Sequence, residues 1–372
     1  MEATTKTVTA NKRLVSLDVM RGVIMVLLAA ESTRVYEVMA DFKLGGAGGM
    51  IVNQFFHHEW NGLTFWDLVQ PAFMLMAGSA MYISYYYKTQ KGITWQQNLP
   101  HIAWRCFKLF LFGVGLHCVY NGKLVWELWN VLTQLAFTTM IAYFIIRWSY
   151  TSQIIFSFGL LILAEVLYRY TNIPGYDQPF VIDRNFGSFM DMVTMGKINN
   201  GGGWVFINII TTAAHTIWGV LAGKLLISKN SNAYKITALL IAGVIGLVLG
   251  YGLDFAGITP VIKRIATSSF TLASGGWVLL IMAFLYWLTD IKKWNKNAWI
   301  FTVVGMNPIF IYIVFQIMSG WLNSTVNIFV GGFSGLLGAG ENWQALFTSL
   351  GSLFVLWYIC YWLYKKKIFF KL

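Results

Sequence analysis

The sequence predicts an all-α fold: a bundle of about ten membrane-spanning helices, forming a single domain over residues 1–372 with both termini in the cytoplasm. Three observations carry this. The chain is 57% hydrophobic and only 11% charged, where a soluble domain would hold about a quarter charged residues. Apolar runs long enough to cross a bilayer recur from one end to the other. Lysine and arginine gather in alternate connections between those runs.

About 20 apolar residues, rising about 1.5 Å each as a helix, cross a bilayer core. Runs of this kind begin near Leu14, Phe65, Ile102, Val125, Ile154, Val205, Ile236, Phe270, Ile300 and Leu346. The first is interrupted by Asp18 and Arg21 and has no small-residue cleavage site after it, so it reads as a helix rather than a leader. Of the 27 basic residues, 18 fall in one set of connections, which holds the basic stretches 1–13 and 365–372 together with Lys88, Lys91, Arg105, Lys108, Arg147, Lys224, Lys229, Lys235, Lys292, Lys293 and Lys296. Only 8 fall in the other: Arg34, Lys43, Lys123, Arg169, Arg184, Lys197, Lys263 and Arg264. The positive-inside rule puts the richer set in the cytoplasm. The formal charge of +12 is therefore a matter of membrane topology, and no nucleic-acid partner is expected. The 17 Trp and 18 Tyr residues suit interfacial belts as well as packing. Cys106, Cys118 and Cys360 lie in apolar runs without zinc-site spacing, so neither a metal nor a disulfide framework is expected.

The glycine-rich pieces at residues 45–49, 201–203 and 331–332 are expected in outer loops or re-entrant turns. None carries the lysine and hydroxyl of a phosphate-binding loop.

Ionisable groups within the apolar runs are costly and face a partner or a cavity. Asp18 and Arg21 are three apart on one helix and can pair. The alternative is that Arg21, with Arg105 and Lys108 at a similar depth, grips the phosphates of a cytoplasmic cofactor. Glu31 lies 13 residues beyond Asp18, about 20 Å along the helix, and so near the outer rim. The stretch from Gln54 to Leu68 emerges there, with His57, His58, Glu59, Trp60, Asn61 and Asp67 before the second run. Imidazoles beside carboxylates at a bilayer rim suit proton transfer. The bland readings are that Asp67 complements a helix start and that Glu31 pairs with Arg34. His101, His117 and His215 lack a nearby acid in sequence and read as structural. Asn307, before Pro308, either bonds backbone carbonyls freed by the proline or holds a ligand.

On these residues a resemblance appears. Residues 13–22, with Asp18, Arg21 and Gly22, followed by residues 56–71, with His57, Trp60, Asn61, Gly62 and Asp67, resemble the heparan-α-glucosaminide N-acetyltransferase family, in particular its bacterial branch. Further matches are Gly219 to Gly223 with Lys224, Pro260 with Lys263 and Arg264 running into Phe270, and Gly305 with Asn307 and Tyr312. Three places depart from the family pattern: Glu31 with Ser32, Thr133 with Gln134, and the glycines at 201–203.

The resemblance implies an inner-membrane acyltransferase of a bacterium, moving acetyl from cytoplasmic acetyl-CoA to a periplasmic or exported amino sugar. The family's catalytic histidine falls at His57, with His58 the second choice. Asp67 or Glu59 would set its tautomer, with Glu31 nearby. Glu59, Trp60 and Asn61 are expected to bind the acceptor, while Arg21, Arg105, Lys108 and Asn307 bind acetyl-CoA. His57 acts either as general base or as a nucleophile carrying the acetyl group. Two other readings stay open: a proton-coupled sugar transporter using Glu31 and Asp67, and a catalytically inactive accessory protein for envelope glycans. A homo-oligomer is compatible with the sequence.

Overall fold

The computed structural model describes residues 14–370. The basic residues Lys6, Lys12, Arg13 and Lys371 lie outside them. Among the described residues there is no strand, only an isolated antiparallel bridge between Asn61 and Ile262. The helices in chain order are α1 (Val15–Ser32), α2 (Val35–Asp41), α3 (Gly46–Asn53), α4 (Val69–Gln90), α5 (Trp95–Asn121), α6 (Val131–Phe144), α7 (Tyr150–Tyr170), α8 (Phe186–Met195), α9 (Ile209–Ile227), α10 (Asn232–Phe255), α11 (Ser268–Leu285), α12 (Trp299–Gly305), α13 (Pro308–Val326), α14 (Gly332–Leu336) and α15 (Glu341–Lys365).

Each predicted apolar run coincides with helix. Among the described residues, seven helical stretches, containing α5, α7, α9, α10, α11, α13 and α15, are long and apolar enough to cross a membrane, and α6 is apolar but shorter. Outward-facing side chains are apolar where a soluble protein would be polar. On α10, Ile241, Val244, Ile245 and Val248 recur at helical spacing and are all exposed, as a lipid-facing stripe requires. Inside, α4 packs chiefly on α9, and α1 packs on α12 and α13. Met25, Met74, Leu75, Ile217 and Ile311 are sealed between them.

Four expectations shift. The run from Val125 begins its helix only at Val131, capped by the Asn130 side chain on the Leu132 amide. The run from Ile300 is broken into α12 and α13 at Asn307, because proline cannot continue the preceding turn's hydrogen bonding. Residues 46–49 open α3 rather than a loop. Gly331 and Gly332 lie inside continuous helix, where a π turn over Asn327–Gly331 passes into α14. Only residues 201–203 behave as predicted, in a turn with Gly202 and Gly203 at positive φ.

Candidate functional site

The segment from Gln54 to Thr64 is irregular and closes onto α4 through a capping box. Thr64 precedes a single 3₁₀ turn (Phe65–Leu68), and Asp67 reaches back to the Thr64 backbone amide at 2.9 Å. That Asp67 oxygen, Oδ2, also accepts from the Thr64 hydroxyl at 3.0 Å and the His58 amide at 3.3 Å. The other oxygen, Oδ1, lies 2.9 Å from His57 Nδ1. The helix-start reading of Asp67 is therefore correct and compatible with a functional one, since each role uses a different oxygen.

A second segment completes the site. The loop between α10 and α11 pairs with the His57 segment through the Gly62 amide on the Val261 carbonyl at 2.8 Å. This docking brings Lys263 to within 3.0 Å of His57 Nδ1 and 3.4 Å of Asp67 Oδ1. Gly62 sits at φ 148°, and a Cβ there would fall 2.5 Å from the His58 ring. A third segment supplies Trp204. Its ring lies 5.6 Å from the His57 ring and stacks against both Lys263 and Arg264. Arg264 in turn donates to the Gly202 carbonyl at 2.6 Å.

Asp67 is fully buried and Lys263 nearly so, while 34% of the His57 side chain stays accessible. One edge of the imidazole is thus free to meet a substrate. Burial pushes the Asp67 carboxyl up, but the His57 hydrogen bond and the Lys263 charge overcome it and hold the group well below the usual carboxylate range. Burial holds the His57 pKa below its ordinary 6.5, Lys263 adds to the effect and Asp67 opposes it. Burial also pushes the Lys263 amine down to about 8, against the attraction of Asp67. A buried carboxylate at Nδ1 favours the tautomer with hydrogen on Nδ1, leaving the Nε2 lone pair for chemistry.

Glu31 stands behind this group. Its carboxylate accepts from Trp66 Nε1 at 3.0 Å and faces Lys263. The expected pairing of Glu31 with Arg34 does not form, because Arg34 turns to Glu37 at 2.6 Å. His58 and Glu59 are exposed, and His58 touches Asp67 only through its backbone. Trp60 is pinned by its indole to the Phe180 carbonyl at 2.8 Å, and Asn61 forms the bridge to Ile262.

Against the first half of α4 lies a cavity of about 370 Å³, lined by Arg21, Met25, Phe73, Ala77, Arg105 and Tyr312 among others. It shares Arg21 and Ala80 with an open recess of about 510 Å³ bordered by Asp18, Tyr87, Lys88 and Lys91. Asp18 and Arg21 pair at 3.4 Å, as their spacing predicts. Arg105 has no carboxylate partner among the described residues. Lys108 is near Arg105 but not on the cavity wall. Asn307 is likewise not a free amide. Its side chain donates to the Ile368 carbonyl at 3.0 Å and accepts from the Phe370 amide at 2.8 Å. It therefore clamps the returning C-terminal segment, not the carbonyls freed by Pro308.

One stripe of α4 joins the two regions. Asp67, Gln70, Phe73, Ala77 and Ala80 recur at intervals of three and four, so they share a face. Gln70 hydrogen-bonds Gln134, which bonds Asn208 at 2.8 Å. A polar layer thus lies at the level between Asp67 and Phe73. Lys263, Arg264, Trp204, Lys88, Lys91 and Gln70 are among the members that reasoning from sequence did not assign to a site.

The helical body with its apolar outer face is that of an integral membrane protein, in which an imidazole, a carboxylate and an ammonium meet where two loops dock. No family model matches the chain. Among curated proteins it is similar to heparan-alpha-glucosaminide N-acetyltransferase of Homo sapiens, 24% identical over 97% of this chain and 60% of that protein. It is also similar to the Mus musculus protein of the same name, 32% identical over 31% of this chain and 16% of that protein. The resemblance read from the motifs is borne out as similarity: the human relative of that name aligns with nearly the whole chain. The chain spans about 60% of the length of the human relative.

Proposed function

We propose that this protein is an acetyl-CoA-dependent acetyltransferase, which takes the acetyl group at the cytoplasmic face and delivers it to an amino sugar beyond the membrane. The observation that carries this reading is the α4 stripe. Its Asp67 end holds a histidine with an accessible edge, and its Ala80 end opens into a cavity bearing Arg105, which has no carboxylate partner among the described residues. Arg105 and Arg21 suit the phosphates of coenzyme A, guanidinium being the cation best matched to them. Lys88 and Lys91 at the adjoining recess add positive charge along the entry. From Arg21 to Glu31 the α1 axis advances about 15 Å, a reach suited to an extended pantetheine arm passing Met25 and Tyr312.

His57 would meet the thioester at the rim. With Nδ1–H bonded to Asp67, its Nε2 lone pair accepts the proton from the acceptor amine as nitrogen attacks the acetyl carbonyl. The C–N bond forms, the C–S bond breaks, and the proton passes from Nε2 to the departing thiolate. The same lone pair serves if the acetyl group first rests on His57. Either way Asp67 orients the ring and stabilises the positive charge it acquires.

The test is direct. Purified protein in detergent should release coenzyme A from acetyl-CoA when supplied with glucosamine-like acceptors. Full turnover in His57→Ala would refute the assignment. Proton-driven sugar uptake into liposomes without any acetyl-CoA requirement would replace the enzyme with a transporter.

A further inference from the structure

We propose that Lys263 is a positioning residue that acts through His57: its ammonium shares the Nδ1 edge of the imidazole with Asp67 and so keeps the ring neutral between transfers. This rests on the enzymatic reading given above.

The geometry at Nδ1 is the reason. Asp67 Oδ1 lies 2.9 Å from that nitrogen and Lys263 Nζ 3.0 Å from it. One nitrogen cannot donate to the carboxylate and accept from the ammonium at once. While Nδ1 carries hydrogen, Lys263 is left with Asp67 Oδ1 at 3.4 Å, and Nε2 is a base. When Nε2 takes a proton, the imidazolium stands about 3 Å from a second cation. Asp67 attracts it, but Lys263 and, further off, Arg264 repel it. The proton is therefore passed on readily to the leaving thiolate. Lys263 cannot swing away, because it is packed against the Trp204 ring and almost fully buried. Its own pKa, pushed down to about 8, still leaves it charged at neutral pH. The other groups around the pair are Glu31 of α1, which faces Lys263, and His58 and Glu59 on the exposed side of the same segment.

The experiment reads His57 directly and needs no substrate. The full chain, labelled at its five histidines and held in lipid nanodiscs, is titrated by NMR, with the His57 signal assigned by its loss in His57→Gln. At pH 6.5 the protonated-to-neutral ratio of His57 should rise at least tenfold in Lys263→Met and stay within about threefold of the parent in Lys263→Arg. Lys263→Gln, which keeps a hydrogen-bonding group towards Asp67, stands in if the methionine variant does not fold. The acid limb of the kcat/KM profile for acetyl transfer should move with the titration. An unmoved His57 midpoint in a protein that turns over acetyl-CoA overturns the role of Lys263. A moved midpoint in a protein that never consumes acetyl-CoA overturns the enzymatic reading instead.

Discussion

At the scale of single residues, Asp67 does two jobs that a mutation can separate. Its Oδ2 closes the Thr64 capping box and its Oδ1 orders His57. Asp67→Asn keeps the shape but removes the charge opposite a buried Lys263. Breaking a buried ion pair on one side costs about 3–5 kcal/mol, so the thermal midpoint in detergent should drop markedly and acetyl transfer should be lost. His57→Gln should abolish transfer while leaving that midpoint close to the parent's. The pH dependence has a defined sign. The Asp67 carboxyl lies lower in the folded protein than its ordinary 3.8, so its stabilisation is complete above that value and is lost as pH falls towards the depressed one. Acid unfolding followed by tryptophan fluorescence should show a steep loss below pH about 4 that is absent in Asp67→Asn. His57 and Asp67 were legible in the sequence because they share one short segment. Lys263 was read as part of a motif but not as their partner, since 206 positions separate it from His57 and only the docking of two loops joins them.

At the scale of elements, the glycine at 219 acquires a physical reason. A Cβ there would lie 2.0 Å from the Leu75 carbonyl on α4, and one at Gly78 would lie 2.0 Å from the Thr216 carbonyl on α9. The two helices thus cross backbone to backbone, with the Ser79 hydroxyl donating to the Gly219 carbonyl at 2.8 Å. Small residues permit such close approach inside a membrane. Gly219→Val should force α4 from α9 at a cost of about 1–3 kcal/mol or more. Loss of the monodisperse peak in size-exclusion chromatography would check it. The position of α4 also sets the stripe from Asp67 to Ala80, so a variant that remains folded should still lose transfer. Lys108 shows why depth alone is not enough. Arg105 and Leu109, one turn apart on α5, line the cavity, and Lys108 does not.

At the scale of the whole molecule, the proposed transfer needs one path from a cation-lined cavity to the His57 rim. Arg105→Gln should raise KM for acetyl-CoA about tenfold or more, equal to about 1.4 kcal/mol of binding, with kcat little changed. Ala77→Trp, which fills the cavity, should abolish acetyl-CoA binding in isothermal titration while the protein stays folded. Binding unchanged in both variants would place the donor elsewhere.

A helical, membrane-embedded chain and its long apolar helices were legible from hydropathy and the 3.6-residue repeat, which are local properties, whereas the short helices α2, α3, α8 and α14 were not. The sequence also picked out His57 with Asp67, and Asp18 with Arg21, whose pairing depends on short spacing. The packing of distant segments set the rest: Lys263 and Trp204 close around His57, Arg105 rather than Lys108 faces the cavity, and Asn307 holds the returning C-terminal segment. These depend on which loops dock and which helix faces meet, and such contacts join residues that no local pattern relates.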